Sequence, residues 1–178
     1  MPDAMRPIIF LDFDGVLNSL RSRVATGHGA HQCHDTIAVQ LVQRLAANAD
    51  AHVVISSAWR VGVEVEMLQG TLRAWGGPAL AERVIGKTPD FFTRPRGEEI
   101  ARWLADNGRS DQADYVILDD EDGMLDGQRS RVVRCAFRDG FGLPEYLQAM
   151  RIIAPAHPDC ERWGSYLEER ARTLEWEA

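Results

Sequence analysis

The chain has no apolar run near the ~18 consecutive residues that a membrane-spanning helix requires. Its N-terminus, MPDAMRP, carries no apolar core before the first strand-like segment, so no secretory signal is read there. Cysteine is scarce: Cys33, Cys135 and Cys160 are odd in number and widely spaced, which fits reduced thiols rather than a disulfide framework. Neither 8 prolines nor 15 glycines in 178 residues is enough for a fibrous or disordered chain. Positive charge is also short, since 20 Lys and Arg face 27 Asp and Glu for a formal charge of −7. The average field therefore repels a phosphate-rich polymer, while leaving room for a local basic patch or an enzyme that acts on a polymer's end. The expectation is a soluble, cytoplasmic protein forming a single domain over residues 1–178, long enough to bury a full core without staples.

What the chain does have is alternation of strands and helices. Ile8–Leu11, His52–Ile55, Tyr115–Leu118 and Arg131–Phe137 are short apolar runs, with Arg83–Ile85 a weaker fifth. The first three lack polar alternation, as strands buried on both faces of a parallel sheet do. Helical spacing falls between them. It marks one helix at Ile37, Leu41, Val42 and Leu45, with Asp35 or Thr36 as N-cap. A second runs from Val65 to Trp75 and stops at Gly76-Gly77; a third holds Ile100, Trp103 and Leu104; a fourth covers Leu143–Ile153. This order predicts an α/β three-layer sandwich around a mostly parallel, Rossmann-like sheet, with its core over about 8–153. Trp163, Tyr166, Leu167, Arg170 and Leu174 predict a last helix over about 159–176, packed on that core.

In such a sheet, ligands bind outside the carboxyl ends of the strands. Each of the three most apolar strands ends there in polar side chains: Asp12 and Asp14, Ser56 and Ser57, Asp119 and Asp120. Four carboxylates gathered at one edge repel one another unless a cation sits among them, and oxygen ligands of this kind suit Mg2+.

The segment Phe10-Leu11-Asp12-Phe13-Asp14-Gly15-Val16-Leu17-Asn18 resembles the first motif of the haloacid dehalogenase (HAD) superfamily. Val53-Val54-Ile55-Ser56-Ser57 is similar to the second motif, and Tyr115-Val116-Ile117-Leu118-Asp119-Asp120 to the double-Asp form of the fourth. More narrowly, DFDGVLN, ISSAWR, RGEEI..WL and YVILDDE resemble the HAD domain of Swiss-army-knife RNA-repair proteins. The resemblance implies a Mg2+-dependent phosphatase. Asp12 takes the place of the nucleophile that forms an aspartyl-phosphate, and Asp14 that of the acid–base, its backbone carbonyl also offered to the metal. Ser56, with Ser57 as fallback, takes the place of the phosphate-binding hydroxyl; Asp120 falls on the metal ligand and Asp119 on its support. For the phosphate-binding cation of the third motif two positions compete: Arg96, with Arg94 beside it, and Lys87, the sole lysine of the chain.

Two features stand apart from these motifs. The stretch His28-Gly29-Ala30-His31-Gln32-Cys33-His34 lacks the paired ligand spacing of a structural zinc site and reads as a loop facing substrate. Arg21, Arg23 and Arg60 are candidates for a second phosphate or a nucleic-acid backbone, with surface ion pairing as the alternative. The intervals on either side of the second strand are filled by predicted helices, leaving no room for a folded cap. A capless site is open, which favours an exposed phosphate such as a nucleic-acid end over a small enclosed metabolite. A non-catalytic module that binds a phosphorylated partner or repair complex is the alternative function. Phosphotransfer to an acceptor other than water ranks below both, because it must exclude water.

Overall fold

Four-residue runs with no polar side chain have only one place to go in water, the middle of a sheet covered on both faces. In the computed structural model, which describes residues 6–29, 32–93, 95–109 and 114–174, this is where they lie. Five strands form one all-parallel sheet: β1 (Ile8–Leu11), β2 (His52–Ile55), β3 (Val84–Lys87), β4 (Tyr115–Asp119) and β5 (Val132–Arg134), in the order β3-β2-β1-β4-β5. The weak fifth candidate is a true strand, shifted to Val84–Lys87, and the Arg131–Phe137 run shortens to three residues at the sheet edge.

Among the described residues, seven helices accompany the sheet, five between strands and two after the last: α1 (Leu20–Thr26), α2 (Thr36–Asn48), α3 (Val65–Ala74), α4 (Pro78–Glu82), α5 (Arg96–Asp106), α6 (Leu143–Ile153) and α7 (Pro158–Leu174). Asp35 caps α2, its carboxylate accepting from the backbone N–H groups of Ile37 and Ala38. Only α1 and α2 lie between β1 and β2, and only short helical segments between β2 and β3, so no inserted domain covers the strand ends among the described residues.

Period-2 alternation divides the core. Ile9, Leu11, Val53, Ile55 and Leu118 pack with α2, α3, α4 and α6 on one face; Ile8, Phe10, Val54 and Ile117 meet Ile100, Trp103 and Leu104 of α5 on the other. Phe10 contacts Trp103 and Tyr115 edge-on, at ring-centroid distances of 5.6 and 5.8 Å. The last helix is fastened through one buried carboxylate. Asp159 accepts from Tyr146 Oη at 2.6 Å, from Asn48 Nδ2 at 2.9 Å and from Arg44 Nε and Nη2 at 3.0 and 3.2 Å, tying α7 to α2 and α6. No helix among the described residues is long and apolar enough to cross a membrane.

Candidate metal and phosphate site

The chain leaves β1 to build one half of the sheet and returns through β4 to build the other, so the strand order reverses between these two neighbours. That reversal opens a crevice at their carboxyl ends. Register places Leu11 beside both Ile55 and Leu118, and the ladder continues one step further: Asp12 N donates to Leu118 O and Ser56 N to Leu11 O, each at 3.0 Å. Asp12, Ser56 and Asp119 thus follow residues of the same alternation on adjacent strands, on the side of α5.

Asp12, Asp119 and Asp120 each offer a carboxylate oxygen, and these oxygens lie within 4.8 Å of one another. Gly15 makes room for this approach. Its φ of +71° suits glycine, and a Cβ there would stand 2.2 Å from Asp120 Oδ2. The first turn of α5 brings Arg96 to the same point, with Nη1 2.9 Å from Asp119 Oδ2 and 3.4 Å from Asp12 Oδ2.

One guanidinium does not neutralise three carboxylates. Burial, reinforced by the charge of Asp12, pushes Asp119 up to about 7. Burial, with Asp12 and Glu121 adding to it, pushes Asp120 up to about 6. Asp12 is also raised by burial, against the pull of Arg96, the Ser57 hydroxyl and the Phe13 N–H, which it accepts at 2.7 Å. The acids therefore carry more negative charge than their surroundings satisfy. An all-oxygen donor set with this excess fits a hard divalent cation such as Mg2+.

The side chain of Asp14 points elsewhere. Its Oδ1 accepts from Asn18 Nδ2 at 2.8 Å and Arg23 Nη2 at 3.0 Å, and its Oδ2 from Trp59 Nε1 at 2.8 Å. Asp14 is thus outside the three-carboxylate group, so only its backbone could serve as the ligand expected of it. The two serines also separate. Ser57 bonds Asp12 and caps the short 3-10 turn Ala58–Arg60. Ser56 Oγ is buried with no hydrogen-bond partner, on the alternation it shares with Asp12. A buried hydroxyl without a partner is costly unless a ligand engages it.

The two competing cations are placed differently. Arg96 touches the acids, whereas Lys87 Nζ donates to the backbone carbonyls of Arg60 and Val63. Arg94 lies outside the described residues. Arg60 corrects an expectation outright: it is 4% exposed, and its five N–H donors are all used. Nε donates to Thr88 O, Nη1 to Ser56 O and Ser57 O, and Nη2 to Pro89 O and Glu99 Oε2. It has nothing left for a second phosphate and instead fastens the end of β2 to the loop after β3 and to α5. Arg21 pairs with Asp35 and Arg23 with Asp14.

Among its described residues, the His28–His34 loop joins no group of potential metal ligands and contributes a ring contact. The His34 ring lies 5.4 Å from Trp75 at 14°, and Cys33 Sγ is 3.2 Å from Ser22 Oγ in the interior. Ala30 and His31 lie outside the described residues. Sequence reasoning missed Trp59 as a partner of Asp14 and Glu99 as the counter-ion of Arg60. The ISSAWR string held the signal for Trp59, and the RGEEI string that for Glu99.

A family profile described as the HAD domain in Swiss Army Knife RNA repair proteins matches residues 8–145. No curated protein and no solved structure matches the chain. The matched span runs from β1 into α6 and contains every strand-end residue of the crevice, and the chain belongs to this family of HAD domains.

Proposed function

We propose that the protein is a Mg2+-dependent phosphomonoester hydrolase that acts through an aspartyl-phosphate on an exposed phosphate, such as a nucleic-acid end. The observation that carries this reading is the convergence of Asp12, Asp119 and Asp120 within 4.8 Å at the crevice between β1 and β4, with Arg96 against them. Bound Mg2+ would supply charge neutralisation for the phosphoryl oxygens and for Asp12, Asp119 and Asp120.

The residues divide the work. An Asp12 oxygen attacks phosphorus while the bond from phosphorus to the ester oxygen breaks, and Asp14 gives that leaving oxygen its proton. Water then attacks the phosphoryl group and passes its proton to Asp14; the Asp12–phosphorus bond breaks and inorganic phosphate leaves. Arg96 and Ser56 Oγ hold non-bridging oxygens, the first by charge and the second by the donor it has free. Short connections around the crevice leave it open, which suits a phosphate carried on a larger molecule.

The test is a phosphatase panel of 3′- and 5′-phosphorylated oligonucleotides, nucleotides, sugar phosphates and phosphopeptides, run with and without Mg2+. The expected result is metal-dependent turnover that disappears in Asp12→Asn. Absence of turnover on every phosphoester, with retained binding of a phosphorylated ligand, would instead establish a non-catalytic binding module.

A further inference from the structure

Beside the acidic crevice runs a groove of about 280 Å³ whose wall includes Arg96, Pro95, Ala58, Val61 and Phe92. Phe92 is 92% exposed, more than any other large apolar side chain among the described residues. Its φ of +39° is a left-handed conformation that a bulky side chain rarely adopts. A strained backbone carrying an aromatic ring into water persists only where the surroundings over-determine it.

The surroundings are the buried Arg60–Glu99 pair. Arg60 holds the carbonyls of Thr88 and Pro89, and Glu99 Oε1 accepts from Phe91 N at 3.1 Å. Asp90 Oδ1 then accepts from Phe92 N at 3.1 Å. A buried ion pair thus anchors the loop up to the residue before Phe92 and leaves that ring standing at the rim.

The charges of the groove restrict what could lie against the ring. Among the described residues, apart from Arg96, which is engaged by Asp12 and Asp119, and the fully committed Arg60, its charged walls are Asp90, Glu99, Glu121 and Asp122. A second phosphate would be repelled there. An uncharged planar group next to the phosphate would instead find an aromatic face, and ring-on-ring stacking tolerates many ring types.

We propose that Phe92 is the stacking platform of a ring-binding subsite, so that the preferred substrate carries its phosphate next to a planar ring, as a nucleotide does. This inference rests on the phosphatase reading for its catalytic meaning, although stacking itself can be measured without turnover. The test compares adenosine 5′-monophosphate with ribose 5-phosphate, which differ by the ring, in the wild-type chain, Phe92→Ala and Phe92→Trp, with Mg2+ present. In kcat/KM, the wild type should prefer the nucleotide by about tenfold or more, Phe92→Ala should erase that preference, and Phe92→Trp should keep it. Calorimetric binding of both compounds to Asp12→Asn, with and without Phe92→Ala, gives the same comparison independently of catalysis. If neither compound is hydrolysed yet the binding preference holds and depends on Phe92, the subsite stands independently of turnover, and the phosphatase reading is decided by the full phosphoester panel. Equal affinity for the two compounds, or a preference that survives Phe92→Ala, overturns the subsite.

Discussion

Trp59 Nε1 donates a hydrogen bond to Asp14 Oδ2 at 2.8 Å across 45 residues of sequence. The same indole meets the ring of Phe13 at 5.5 Å and that of Trp75 at 5.4 Å, so its donor is fixed by packing on two sides. Asn18 and Arg23 hold the other oxygen of the carboxylate. Asp14 is therefore oriented by three donors from three separate segments, the arrangement an acid–base group needs if its proton is to reach one particular oxygen.

Trp59→Phe separates orientation from packing, because it keeps an aromatic ring and removes the N–H. A hydrogen bond to a charged group contributes ~1.5–3 kcal/mol, so kcat on an aryl phosphate should fall by about tenfold or more. KM should change little. An unchanged kcat would mean that Asn18 and Arg23 hold Asp14 unaided.

Gly15 offers a second lever. Any Cβ at this position collides with the Asp120 carboxylate and imposes a left-handed backbone on a residue that resists it. Gly15→Ala should lower stability by ~1–3 kcal/mol and should also displace Asp120 from the other two acids. The measurement is the rise in melting temperature on adding Mg2+, which should shrink or vanish in the variant. A full Mg2+ shift would show that Asp120 is dispensable for the cation.

Much of this geometry was legible beforehand because it depends on burial pattern. Unalternated runs such as Ile8–Leu11 and Tyr115–Leu118 have one stable place in a fold this size, and the polar residues ending them had to meet at a sheet edge. Long amphipathic helices were equally plain, and Leu143–Ile153 agrees to the residue. Helices α1 and α4 were not, since 7 and 5 residues hold too few turns for an apolar stripe to repeat. Side-chain partners were the hardest part. Arg60 follows a strand in a run that resembles a surface turn, and only the fold brings Thr88, Pro89 and Glu99 around it. A charge that looks solvated by composition can be the most enclosed cation near a site.

That enclosure sets a third expectation. Removing one partner of a buried ion pair strands the other charge in the interior, at a cost of ~3–5 kcal/mol. Arg60→Met should therefore unfold at markedly lower denaturant than the wild type. Adding Glu99→Leu should recover part of the loss by removing the unpaired carboxylate. Since the pair also anchors the Phe92 loop, the double variant should regain stability without regaining preference for ring-bearing phosphates. Additive losses in the double variant would mean that the two residues do not act as a pair.

The acids of the crevice give the protein a pH dependence with a definite sign. Asp119 at about 7 and Asp120 at about 6 bind protons more tightly in the folded state than an ordinary carboxyl does when unfolded. Groups raised in this way contribute stability that is fully present below the ordinary carboxylate range and is lost as pH rises through the folded values. Without a divalent cation, stability should therefore decline from about pH 4 to about pH 7. Asp159 is lowered instead, by Tyr146 and Arg44 acting against its burial. Its contribution is lost only as pH falls below the ordinary carboxylate range, which leaves the higher window to the crevice. A cation changes the balance by favouring the charged forms, so the stabilisation by Mg2+ should be small at pH 5 and grow through pH 8, with protons released on binding. Denaturant melts across this range, with and without the metal, provide the check. The electrostatic account of the crevice fails if the Mg2+ increment is flat with pH, or if Asp119→Asn leaves its slope unchanged.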